Sequence, residues 1–185
     1  MAKVHPNITT ELAEWIGRQP VFFTASAPLA EDSHINLSPR GLDSFRVINE
    51  HETIILDLTG SGNETAAHLT QNGRLTVMFC AFTGPPQILR LFGQGTVIRP
   101  GEQKWSEFRA QFADDLPGVR QIFHQQVTRV QTSCGFGVPL MKLESQRDLL
   151  PKWAMKRGED GIQEYQKEKN ATSIDGLPAP GLTNS

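Results

Sequence analysis

Cysteine is almost absent from this chain. Only Cys80 and Cys134 occur, far apart and with no CxxC pair. That excludes a disulfide framework and a zinc site built from thiolates, and it fits a reducing cytosol. Long apolar runs are also missing, so no segment is expected to cross a membrane. The opening residues, MAKVHPNITTE, contain no hydrophobic stretch of the kind that directs secretion, and the expected location is cytoplasmic. There is no excess of positive charge either. The formal net charge is −2, which removes the electrostatic basis for nonspecific binding to nucleic acid. Internal repeats and low-complexity tracts are absent as well. What remains is an ordinary globular composition, 38% hydrophobic and 21% charged over 185 residues, which suits one domain.

Residues 53–82, TIILDLTGSGNETAAHLTQNGRLTVMFCAF, are the most informative stretch. An apolar run (Ile54, Ile55, Leu56, Leu58) predicts a strand. The loop Thr59-Gly60-Ser61-Gly62-Asn63 follows, then a short helix from Glu64 to Asn72-Gly73, then a strand carrying Leu75, Val77 and Phe79. A strand that feeds a Gly/Ser/Asn loop and a helix makes an anion site. The first helical N–H groups have no partner inside the helix, and the dipole is positive there. Asn63 is also a natural helix cap, which explains the same residues without a ligand.

Around this centre, Leu12, Trp15 and Ile16 have helical spacing over 9–19, ended by Gln19-Pro20. Strands are expected at 21–27, 34–38, 45–48, 53–58, 74–82 and 87–98, with two closing strands at 126–136 and 140–143. Gly93 and Gly95 inside QILRLFGQGTVI predict a bulge or bend. Trp105, Phe108 and Phe112 predict a helix over 102–113 that packs on the core. The tail from Asp148 is helical at first and then polar, with its last residues loosely held. Six to eight short strands at hairpin distances, one helix among them and others outside, predict an antiparallel barrel, mainly β with flanking helices.

The segments INLSPRGLDSF, DLTGSGNETAAHLTQNGRLTVMF and PPQILRLFGQGTVI resemble, in consistent order over residues 20–100, the pyridoxamine 5′-phosphate oxidase-like superfamily of FMN-binding split barrels. The resemblance implies a split β-barrel domain over 1–145, with a helical extension over 146–185 packed on it. It implies a homodimer with flavin sites at the subunit interface, and FMN as cofactor. Arg40 resembles the basic residue that helps hold the flavin, and an arginine fork suits a phosphate. Thr59, Ser61, Asn63 and Thr65 fall at the phosphate loop, although the lysine that the oxidases carry there is missing. Ser38 would join the phosphate and ribityl contacts, Asn36 and Leu37 would line the ring edge, and Gln87 resembles a glutamine reaching the flavin of the other subunit.

The tryptophan and arginines that grip substrate in the true oxidases have no match in the tail, which argues against vitamin B6 oxidation itself. The expected activity is therefore FMN-dependent oxidoreduction of an unidentified small substrate. The alternatives are the deazaflavin F420, haem held by His34, His68 or His124, and a flavin-binding module without turnover. No catalytic residue stands out and no metal site is expected. On this reading Arg40→Ala weakens FMN binding and leaves the fold intact.

Overall fold

The computed structural model describes residues 2–182. The expectation of loosely held final residues concerns 183–185, which lie outside the described residues. A short strand β1 (Lys3–His5) precedes helix α1 (Thr10–Gly17). The side chain of Thr9 caps α1 by accepting from the Leu12 N–H, and Leu12 and Ile16 face inward as their spacing predicts. Strands β2 (Phe22–Ser26), β3 (Asn36–Arg40), β4 (Phe45–Asn49) and β5 (Glu52–Leu58) follow. Helix α2 (Glu64–Asn72) then leads to β6 (Arg74–Cys80) and β7 (Ile88–Ile98). Gly73, at φ 72°, ends α2 in the left-handed conformation that glycine tolerates, and its N–H bonds the Leu69 carbonyl. The predicted helix over 102–113 shrinks to α3 (Trp105–Arg109), yet Phe108 and Phe112 are both buried.

The two closing strands are instead one, β8 (Val119–Ser133), fifteen residues long. Residues 140–143 form no strand and are exposed. Helix α4 (Leu149–Lys169) is the last helix among the described residues. It breaks at Gly158 (φ 69°, ψ 176°) so sharply that Trp153 meets Tyr165 edge-on at 5.0 Å, with Arg157 stacked on both rings.

All strand pairs are antiparallel, in the order β3-β2-β6-β7-β8-β5-β4, and β1 extends the β5 side of β8. The expected closed barrel is not formed. The sheet is open, with β3 and β4 at its two ends and no hydrogen bonding between them. These two strands are consecutive in sequence, but the turn joining them runs through Leu42 and Asp43, both at positive φ, and sends them apart. Pro39 in β3 brings no N–H to a further neighbour, as befits an edge strand.

β5 explains its unbroken apolar run by being buried on both faces. Ile55 joins the main core with Phe22, Phe79, Leu91 and Phe123, under α1 and α2. Ile54 and Leu56 join a second cluster with Ile122, Phe108 and Phe112. Gly93 sits where the β7–β8 register shifts, but the extra residue is Thr128 of β8, so the irregularity expected in β7 is a bulge of the strand beside it.

Candidate functional site: a cavity between β3 and the β5–α2 loop

At the gap between β3 and β5 lies a cavity of about 660 Å³. Its floor is an acid, Asp57, that is 1% exposed. Alternation along β5 turns Asp57 to the same face as Ile55. Three side chains meet its carboxylate. Arg40 Nη1 donates to Oδ1 at 2.6 Å, while Arg120 Nε (2.9 Å) and Gln121 Nε2 (2.8 Å) donate to Oδ2.

The β5–β8 pairing explains why two successive β8 residues reach one acid. Asp57 pairs with Gln121 and Leu58 with Val119, which leaves Arg120 as an extra residue in a bulge. A bulge re-aims its side chain, and Arg120 swings beside Gln121. Burial by itself raises the Asp57 pKa. The Arg120 and Arg40 charges and the hydrogen bonds outweigh it, and the carboxyl stays ionised below the usual carboxylate range.

The loop above this floor is built in the same way. Asn63 takes the N-cap position of α2 but does not cap it with its side chain. Its Oδ1 instead accepts from Gln121 Nε2 (2.7 Å), and its Nδ2 donates to the Asn170 carbonyl (3.2 Å). The first-turn N–H groups are therefore left without that cap. Arg120 Nη1 holds the Gly62 carbonyl at 3.0 Å. The segment after α4 straps the loop from outside. Asn170 Nδ2 donates to the Gly60 carbonyl, and the Ile174 N–H donates to Glu64 Oε2 at 3.0 Å. Asp175 accepts from both the N–H and Nδ1 of His34, so the strap is tied to the approach to β3. That bond raises the His34 pKa and lowers that of Asp175.

The structure brings Asn36, Ser38, Arg40, Ser61, Asn63 and Thr65 around this cavity. Asn36 Nδ2 donates to Thr65 Oγ1 at 3.0 Å, and Ser38 Oγ donates to Asn36 Oδ1, so β3 is laced to α2. Thr59 lies behind the loop, where its Oγ1 donates to the Gly118 carbonyl and accepts from Gln166 Nε2. Leu37 and Gln87 are not among the lining residues. Leu37 is 63% exposed, on the face of β3 away from Asn36 and Ser38. Gln87 precedes β7, beneath Gly135. Arg40 ends β3, with its Nε on Thr24 and its Nη1 on Asp57; only its Nη2 lacks a hydrogen bond among the described residues.

Sequence reasoning missed Asp57, Arg120 and Gln121. One signal was available: a lone acid inside the apolar run IILDL. A buried charge of that kind needs a partner. None of His34, His68 and His124 lines the cavity. His68 is 1% exposed; its Nδ1 meets Ser26 Oγ at 3.0 Å, and burial lowers its pKa so that it stays neutral. Among the described residues no group of three His, Cys, Asp or Glu side chains is placed to hold a metal ion. Nor is any helix among them long and apolar enough to cross a membrane.

A profile of the pyridoxamine 5′-phosphate oxidase family matches residues 8–134, which span the whole sheet except β1 and all of the cavity's floor. The chain belongs to the pyridoxamine 5′-phosphate oxidase family. Within it, the chain is 40% identical over 192 residues to the pyridoxamine 5′-phosphate oxidase family protein ustO of Aspergillus flavus, covering 94% of this chain and 76% of the relative. Solved structures share the fold at lower identity. The HupZ protein of Group A Streptococcus matches with a TM-score of 0.52 at 18% identity, over 68% of this chain and 99% of that one. A FAD-binding protein of Mesorhizobium loti matches with 0.50 at 12% identity, over 71% and 96%. A family fold is thus established whose sheet, in this member, stays open where the cavity enters it.

Proposed function

We propose that this member of the family is a flavoprotein that binds FMN in the β3–α2 cavity and works as an oxidoreductase on a small substrate. The observation that carries the reading is the meeting of β3 with the uncapped start of α2 across a cavity of about 660 Å³. That volume suits a ligand of cofactor size. The walls are divided as an amphipathic ligand requires. Leu42, Leu56, Leu58, Phe123, Leu150 and Ile174 supply apolar surface, and Ser38, Ser61, Arg40 Nη2 and the first α2 N–H groups supply donors. A bound flavin supplies hydride and electron transfer. The chain's residues bind and orient it. Arg120 and Asp57 fix the loop that receives the polar end, and the strap at Ile174 screens that end from water. The FAD-binding protein of Mesorhizobium loti, on the same fold, supports the choice of a flavin.

The absorption spectrum of the freshly purified protein tests this, with mass analysis of whatever heat releases. Two broad near-ultraviolet and blue bands and released FMN are the expected result. A colourless protein that also fails to bind added FMN overturns the reading. Bleaching by a reduced nicotinamide followed by reoxidation separates an enzyme from a module that only holds flavin. Arg40→Ala is expected to weaken FMN binding. Because Arg40 is paired with buried Asp57, the same change is also expected to cost about 1–3 kcal/mol of stability, read by urea unfolding.

The protein is further proposed to be a homodimer. Phe136 (83% exposed), Leu140 and Met141 stand on an arm after β8 that crosses over Phe82 and Gln87, and a second copy would cover them. Gln87 beneath this arm would then belong to the partner's flavin site. Light scattering should give twice 20.5 kDa, and Phe136→Asp with Leu140→Asp should give the single-chain mass. The 146–185 segment is taken as an extension of the same domain, supported by the bonds of Gln166 and Asn170 to the Thr59–Asn63 loop.

A further inference from the structure

We infer that Glu64 sets the charge selectivity of this cavity, so that the phosphate of a flavin adds little to its affinity. The inference rests on the flavin reading above. Four charged side chains face the cavity: Arg40 and Arg120 against Asp57 and Glu64. Formally they cancel. The arginines are also already engaged. Arg120 gives Nε and Nη2 to Asp57 and Nη1 to the Gly62 carbonyl, and Arg40 gives Nη1 to Asp57 and Nε to Thr24. Of the nitrogens of Arg40 and Arg120, only Arg40 Nη2 makes no hydrogen bond among the described residues and is left to meet an incoming anion.

Glu64 stands in the first turn of α2, where a carboxylate takes up the positive end of the helix dipole. It is held there. The Ile174 N–H fixes Oε2, and Ile174 is kept in place by Asp175 on His34 and by the Ser173 turn that closes on Leu177. The helix end that would receive a phosphate dianion therefore carries a fixed negative charge of its own. A neutral ribityl hydroxyl meets no such repulsion.

Titrating riboflavin and FMN separately into the wild-type protein and Glu64→Gln, by quenching of flavin fluorescence, tests this. Glutamine keeps an oxygen for the Ile174 N–H, and riboflavin affinity reports whether the cavity is intact. In the wild type the two flavins are expected to bind within about threefold of each other, under 1 kcal/mol. In Glu64→Gln, FMN is expected to gain about tenfold, or about 1.4 kcal/mol, with riboflavin unchanged. A wild type that prefers FMN by a hundredfold, or a Glu64→Gln protein that gains nothing for FMN or gains equally for riboflavin, overturns the inference. Absence of binding of both flavins to both proteins overturns the flavin reading itself, and this inference with it.

Discussion

Replacing Asp57 with alanine is expected to destabilise the protein by about 3–5 kcal/mol, the usual result of removing one partner from a buried ionic cluster. The magnitude follows from what is left behind. Arg120 is 8% exposed and has two nitrogens on Asp57, Arg40 has one, and Gln121 another. Without the acid, two like charges face each other across a partly dry floor, and Gln121 keeps only Asn63. A typical domain has about 5–15 kcal/mol in total, so the loss should be plain in a urea titration at neutral pH.

The effect should also depend on pH in a defined direction. Burial opposes ionisation of Asp57, and the two arginines overcome it, so its folded pKa lies below the ordinary value of 3.8. A lowered folded pKa contributes stability that is fully present above the ordinary value and is lost as pH falls through the folded one. The gap in unfolding midpoint between wild type and Asp57→Ala should therefore be constant from neutrality down to about pH 4 and narrow below it. A gap that stays constant below pH 4 would mean that Asp57 is not held ionised by its arginines.

Gly93→Ala should be nearly as damaging, for a steric reason. A Cβ at this position would overlap the Gln126 carbonyl oxygen and press on Val127 Cα at 3.1 Å. Both belong to the backbone of β8, which cannot step aside as a flexible side chain can. We expect a loss of about 3 kcal/mol, at the upper end for overpacking, seen as a fall of about 10 °C in the unfolding temperature. Gly17→Ala provides the contrast, because nothing lies within 4 Å of a Cβ there. That variant should stay within about 0.5 kcal/mol of the parent. Equal losses in the two would remove the steric explanation.

Gly93 also shows which parts of the fold were legible in the sequence. A glycine inside an apolar strand pattern signals an irregular step locally, and the β7–β8 register does shift beside Gly93, although the extra residue, Thr128, belongs to β8. The β5–α2–β6 unit was legible for a similar reason: its apolar periods and its terminal Asn72-Gly73 lie within thirty residues of one another. β8 was not. Its sequence, VRQIFHQQVTRVQTS, looks too polar for the centre of a sheet. Gln121 and Gln125 are nevertheless buried, because Asp57 and Asn63 satisfy the first and the Leu75 and Leu91 carbonyls the second. No local pattern encodes such partners.

The same holds for the candidate site. Loop and strand residues near position 60 could be picked out by type, but the pairing of Asp57 with Arg120 spans 63 positions and needs a bulge to aim it. Whether the sheet closes was likewise outside the reach of strand counting. That question turns on whether the first and last strands of the path meet, and here β3 and β4 share no hydrogen bonds.

The position of β8 has a consequence for how the chain is made. It is hydrogen-bonded along one side to β7 and along the other to β5 and then β1, whose residues 3–5 pair with 130–132. A ribosome therefore releases the first strand long before its neighbour exists. Until residue 133 emerges, β5 and β7 each wait with an unsatisfied edge, and β5 waits with an apolar face on both sides. Nascent chains of this kind are exposed to wrong pairing for as long as translation of the intervening segment takes. The stretch 59–133 is therefore the interval of synthesis in which wrong pairing of β5 and β7 is open to the chain.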